Sequence, residues 1–484
     1  MTVALIVLPL AFALAIAVLP LDRRLASAAG LLGTLAEVVL AAVALVRFDV
    51  GAGMQFVTDD RWIPDFGLAP VRFHVGMDGL GVFMVALTAV GVAAALGASL
   101  LAGRDRPRAH VALLLLLESA MVLLFTAQDL VLFYVGWEVM MVALFVLMGV
   151  WGGTGRRAAT LRFVIYSLLG SLSMLVAIAY IGVRYHTFEV GQVHSGVVWL
   201  FLAFAAAFCI KAPMFPLHGW LPAAYRESSI EVTALLSGVV SKAGAYGLLR
   251  FCLPMFPGPA HDWRWLFLGL GLAGLLYGSL VAFRQPDARG VVAYSSFAQM
   301  NLIIIGIFAL NVNGATGAIF QMVNHGVVSL AAFLLIGVLE LRVGTSLFRH
   351  LGGLANGRPI ASTVFLVAAL WALAVPGSSL FVSEIYILIG AFQQNEWLGA
   401  AAALGIVLAA MYMLRWYSAI AHENDGDSVP AGMPDLHLRE LAIALPLIAI
   451  LFVMTAWPYG VMKRITVTTS AAPRVIFVIG SDSR

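Results

Sequence analysis

The chain has few charged residues, few lysines and few cysteines. Only 11% of its 484 residues are charged, while 62% are hydrophobic; an average soluble domain has roughly 25% charged residues. Such a composition excludes a soluble enzyme and leaves a polytopic membrane protein with almost no soluble part. The two cysteines, Cys209 and Cys252, fall in or at the end of apolar stretches. They read as small core hydrophobes, and two are too few for an iron–sulfur cluster. No glycine-rich phosphate loop follows a strand, and only one histidine lies deep in an apolar run, which excludes a bis-histidine haem. The chain itself is therefore expected to carry no redox cofactor and no metal. A net charge of +3 spread over the whole length offers nothing to nucleic acid.

Only three of the 28 basic residues are lysines, and two of these, Lys211 and Lys242, sit inside long apolar segments. Arginine is effectively always charged, whereas a desolvated lysine can release its proton. Glu138, His325 and Glu384 also interrupt apolar runs. Ionisable residues at membrane depth are costly and mark ion or proton paths, so these five groups point to proton transfer.

Apolar runs able to cross a core of about 30 Å occur near 2–20, 25–47, 79–102, 111–127, 130–150, 161–182, 197–217, 231–252, 264–283, 290–310, 314–341, 360–394, 397–419 and 438–460. An all-α bundle of about fourteen transmembrane helices is expected. The first run has no basic residue before it and Arg23-Arg24 after it, the reverse of a secretion signal; it reads as a retained span with an outside N-terminus. Arginines then concentrate in the inside loops (Arg104, Arg106 and Arg108, Arg156 and Arg157, Arg342, Arg349 and Arg358), as the positive-inside rule requires. Pro213, Pro216 and Pro222 break the seventh helix, and Pro376-Gly377-Ser378-Ser379 breaks the twelfth. A broken helix beside a charge in each half (Lys211, Glu384) predicts two inverted five-helix repeats around a midplane site. The expected division is 1–110 for flanking helices 1–3, 111–252 for the first repeat, 264–419 for the second, and 420–484 for the last helix and a short tail that is either disordered or docked on a neighbour.

Glu138 lies roughly 12 Å from the start of its helix and needs a cation to stay ionised, with Lys211 the natural partner. Lys211 precedes Pro213, where the missing amide frees a carbonyl and leaves room for water. Gly238, Gly244 and Gly247 let other helices approach Lys242. An imidazole such as that of His325 titrates in a range suited to a relay. Glu118, in the fourth run, could join the Glu138 network, and Glu37 resembles it without belonging to a motif. His218 and Glu231 flank the broken helix and could form a proton entrance. Asp287 and Arg289 read as a loop salt bridge.

The segments LFYVGWEVMMVALFVLMGVWGG, YSLLGSLSML, KAPMFPLHGWLPAAYRES, LLSGVVSKAGAYGLLRF, AYSSFAQM, QMVNHG and PGSSLFVSE, in this order over residues 70–400, resemble the antiporter-like membrane subunits of respiratory complex I. The similarity is greatest to the M-type (chain 4) members, since a glutamate stands at the twelfth-helix position and no long lateral extension follows. The resemblance implies a proton path through Glu138, Lys211, Lys242, His325 and Glu384 in a bacterial inner-membrane subunit. It also implies L-type, N-type and small membrane subunits as partners, with lipid around them, and FMN, iron–sulfur clusters and quinone in other subunits. Related motifs occur in sodium/proton antiporter (Mrp-type) subunits and membrane-bound hydrogenase complexes. The chain departs from the family pattern at Ser229, where proline is usual, at the extra Glu231, and at Arg289-Gly290, where two basic residues are common.

Overall fold

The computed structural model describes residues 1–64, 67, 69–422, 425–430 and 432–471, with side chains as far as 465. In chain order its main elements are α1 (Thr2–Val18), α2 (Arg23–Arg47), β1 (Gln55–Ile63), β2 (Val71–Met77), α3 (Gly79–Ala102), α4 (Pro107–Thr126), α5 (Leu130–Trp151), α6 (Arg156–Tyr185), α7 (Val198–Lys211) and α8 (Leu221–Glu227). There follow α9 (Ile230–Met255), α10 (Arg264–Arg284), α11 (Ala288–Phe308), α12 (Val312–Val343), α13 (Pro359–Ala372), α14 (Ser379–Gln394), α15 (Glu396–Ala421), α16 (Leu438–Ala456) and α17 (Pro458–Ala471).

Eleven of these helices are long and apolar enough to cross a bilayer, and α1, α7 and α13 are shorter apolar helices. With α7–α8 and α13–α14 each counted as one interrupted span, the described residues hold the fourteen spans expected. Short polar side chains start many of the helices: Asp22, Asp78, Asp129, Asp287, Asn311, Ser378 and Asn395 each accept an amide of the first turn, replacing bonds the helix cannot make for itself. Both interruptions fall at the prolines. At the second, Ala374 and Gly377 adopt positive φ angles of 54° and 98°, which turn the chain sharply between α13 and α14.

The hairpin of β1 and β2, antiparallel with Asp59 opposite His74 and Arg61 opposite Arg72, was not expected from the sequence. It is tied to the α4–α5 junction through Gln128, whose amide donates to the His74 carbonyl. The long helix α12 is the centre of the bundle, packing against α3, α9, α11, α13, α14 and α16. The tail reading falls partly on α17, which packs against α12 and α3, and otherwise beyond 471, outside the described residues.

Candidate functional site

A row of polar groups crosses the otherwise apolar interior. Lys211 is the last residue of α7 and is 1% exposed. Its amine lies 2.6 Å from Met141 Sδ and 3.3 Å from Ser167 Oγ. The same nitrogen stands 4.7 Å from the Phe163 ring centre and 5.5 Å from that of Trp137. A helix C-terminus and two aromatic faces favour a cation. The expected ion pair with Glu138 is not made: the two groups interact electrostatically, but no oxygen of Glu138 comes within salt-bridge distance of the amine. Glu138 is half-buried on the outward side of α5, one turn before Val142, which is 58% exposed. Its Oε1 is buried without a hydrogen-bond partner. Glu138 thus stands half-buried on the helix face that carries the exposed Val142, and the lysine is held by soft and aromatic neighbours.

Helix α9 meets α7 at Gly244, where an added Cβ would strike the Phe208 carbonyl and the Ala212 amide. This close approach brings Lys242 beside the broken helix. Two π-helical turns, Leu236–Val240 and Leu248–Cys252, flank the lysine. Such turns leave carbonyls outside the regular ladder and recur at functional sites; here the amine of Lys242 donates to the Ser237 carbonyl at 2.6 Å. The amine also lies 3.4 Å from Ser241 Oγ and 2.9 Å from His325 Nδ1. Two bases in direct contact can share one proton but not comfortably two, because like charges repel in a low-dielectric interior. Ser237 Oγ continues the network to Ser296 at 2.8 Å and Ser329 at 2.5 Å.

One turn before His325 on α12, Gln321 reaches a second polar knot. Gln299 donates to Glu384 Oε1 at 2.9 Å, Gln321 donates to the same oxygen at 3.4 Å, and Gln321 also donates to Gln299 Oε1 at 2.8 Å. Ser383 donates to Gln321. Glu384 Oε2 has no partner, although the residue is 1% exposed. A cavity of about 10 Å³, bordered by Ser295, His325 and Ser329, lies beside this stretch and is about the size of one water. The structure thus joins Lys242 directly to His325; among the described residues no hydrogen bond links Lys211 to Lys242 or His325 to Gln321.

The accessory candidates fall elsewhere. Glu118 does not join Glu138; its charged neighbour is Glu37. Glu231 is fully buried and closed off by Arg104, with two bonds of 2.8 Å, and by His110 Nε2 at 3.2 Å. His218 is stacked among Phe215, Tyr277 and Phe297. The expected Asp287–Arg289 bridge is not made either: Asp287 pairs with Arg226 and Arg289 with Glu340. These four residues line an open cleft of about 710 Å³ together with Arg104 and Glu227. Among the described residues, one group has a metal-type donor set, Asp59, His74 and Glu189. Arg72 already bonds Asp59 at 2.6 Å and Glu189 at 3.5 Å there, a guanidinium in the place a cation would take.

Sequence reasoning missed Met141, Ser167, Ser237, Gln299, Gln321 and Ser383. All six lie within the quoted motifs; Met141, Gln321 and Ser237 stand three, four and five residues from Glu138, His325 and Lys242, and for these the helical spacing was the available signal.

A sequence model of the family described as "NADH:quinone oxidoreductase/Mrp antiporter, TM" matches residues 127–410, the stretch that contains all five charged positions. The chain belongs to this family. It is 35% identical to NADH-ubiquinone oxidoreductase chain 4 of Marchantia polymorpha, over 94% of this chain and 93% of that protein. It is likewise 35% identical to NADH-quinone oxidoreductase subunit M of Rhodobacter capsulatus, over 93% and 92% of the two chains. Its fold matches a chain of respiratory complex I from Thermus thermophilus with a TM-score of 0.89 at 29% identity, covering 98% of this chain and 100% of that one. Like the other members, it is a multi-pass, antiporter-like membrane protein.

Proposed function

We propose that this chain is an M-type proton-translocating subunit of an NADH–quinone oxidoreductase in a bacterial inner membrane. The observation that carries this reading is the 2.9 Å contact between two buried bases, Lys242 and His325, in line with a buried carboxyl that two amides hold. Protons load at Lys211, pass through Lys242 to His325, and leave by Gln321 and Glu384. The two gaps are bridged by water, for which serines and amides supply partners. The charge on Glu138 biases Lys211 without contact and, from its outward position, couples it to the next membrane subunit. Residues 111–252 and 264–419 are the two inverted repeats, each interrupted at its charged helix. Redox chemistry belongs to partner subunits that hold FMN, iron–sulfur clusters and quinone.

The test is purification of the tagged chain from native membranes under mild detergent. Recovery of NADH-oxidising activity with L-type and N-type membrane subunits supports the reading. Sodium-dependent antiport by the chain without redox partners would replace it with the antiporter reading.

A further inference from the structure

Helices α2 and α4 run in parallel, and Gly30 of α2 sits against Val111 of α4. Two turns further along each helix from that contact stand Glu37 and Glu118, each the same distance in sequence past it. Both residues are 0% exposed. All four carboxyl oxygens are buried and have no hydrogen-bond partner, and the electrostatic influence of Glu37 reaches Glu118.

Among the described residues, no charge from the surrounding elements is turned toward the pair. Helices α1 and α3 contain no charged residue. On α4, Arg108 donates to the carbonyls of Ile16 and Ala17, and His110 turns to Ser99 and Glu231. The arginines of α2 stand at its two ends. From the neighbouring helices, Lys242 is engaged with His325 and Glu138 interacts electrostatically with Lys211. Two ionised carboxylates without a counter-charge cannot persist at this depth, where even one isolated charge costs far more than folding can return. The pair presents only acceptors, and the species that fits an acceptor-only pair is a small hard cation.

We propose that Glu37 and Glu118 form an exchangeable site for a monovalent cation, H⁺ or Na⁺, in the N-terminal bundle, separate from the row between Lys211 and Glu384. One of the two carboxyls keeps a proton and the other holds the exchangeable cation, so the site stays neutral: a cation entering from water replaces the one that leaves. The site stands on the geometry of α1–α4 and does not depend on the function proposed above.

Infrared difference spectroscopy of the assembled complex tests it, with wild type compared with E37Q and E118Q in sodium and in choline media. A protonated-carboxyl C=O band that shifts in D₂O, is insensitive to sodium and is lost in each variant identifies a proton site. A band that sodium converts to carboxylate in wild type and not in the variants identifies a sodium site. Wild-type and variant spectra that coincide in both media would overturn the proposal. Glutamine is isosteric, and α2 lies at the perimeter with Leu32 and Leu35 exposed, so E37Q alone decides the matter if E118Q does not assemble.

Discussion

Replacing Lys242 with arginine keeps the positive charge and removes the ability to give up a proton. The amine of Lys242 is surrounded at 2.6 Å by the Ser237 carbonyl, at 2.9 Å by His325 and at 3.4 Å by Ser241, and the residue is fully buried. Fitting a guanidinium there overpacks the site by about 1–3 kcal/mol, a loss that a large bundle tolerates. The chemical effect is greater. Arginine holds its proton about 2–3 pH units more tightly than lysine, so release costs roughly 3–4 kcal/mol more. That slows any transfer through this position about 10²–10³-fold. The assay is proton uptake into proteoliposomes carrying the assembled complex, normalised to NADH oxidised, with native gels to confirm that Lys242→Arg assembles. Assembly with proton transport reduced at least tenfold per turnover is expected. Wild-type transport in the assembled arginine variant would show that Lys242 never needs to release a proton, and the relay would then reduce to a fixed charge.

Two further outcomes follow from groups near the membrane surface. Arg104→Ala leaves Glu231 buried without its bidentate partner and should cost about 3–5 kcal/mol, visible as loss of assembled complex; adding Glu231→Ala should restore most of it, since the buried charge is then gone. Outside the spans, the guanidinium of Arg358 holds the Asp425 carboxyl below the usual carboxylate range, with oxygens at 3.2 and 3.0 Å. Its stabilisation is complete above the ordinary carboxyl value of about 3.9 and disappears as pH falls through the depressed one. The thermal stability difference between wild type and Asp425→Asn should therefore be constant near neutral pH and vanish in strong acid; a difference that persists in acid would refute the pairing.

The spans and their two breaks were legible because lipid demands long apolar runs and proline cannot sustain a helix ladder. The charged positions were legible for a related reason: Lys211, Lys242 and Glu384 stand out against apolar neighbours. What those charges touch was not legible. Sequence spacing reveals neighbours along one helix, whereas the partners of Lys211, Asp287, Arg289 and Glu118 come from other helices. Lys211 was assigned to Glu138 on charge alone, yet the close packing of α5, α6 and α7 puts Met141, Ser167 and two aromatic rings around its amine. The hairpin at 55–77 escaped notice because polar residues such as Asp59, Asp60 and Arg61 read as a loop. The serines and glutamines of the row looked like ordinary small polar residues, and only the packing of α9, α11, α12 and α14 makes them a network.

The measurement that bears most directly on the central claim is the proton-to-electron ratio of the assembled complex carrying Glu138→Gln. Glutamine keeps the shape and removes the charge that acts on Lys211 from the edge of the bundle. The account predicts an intact complex with a clearly lowered ratio, while an intact complex pumping at the wild-type ratio would contradict it.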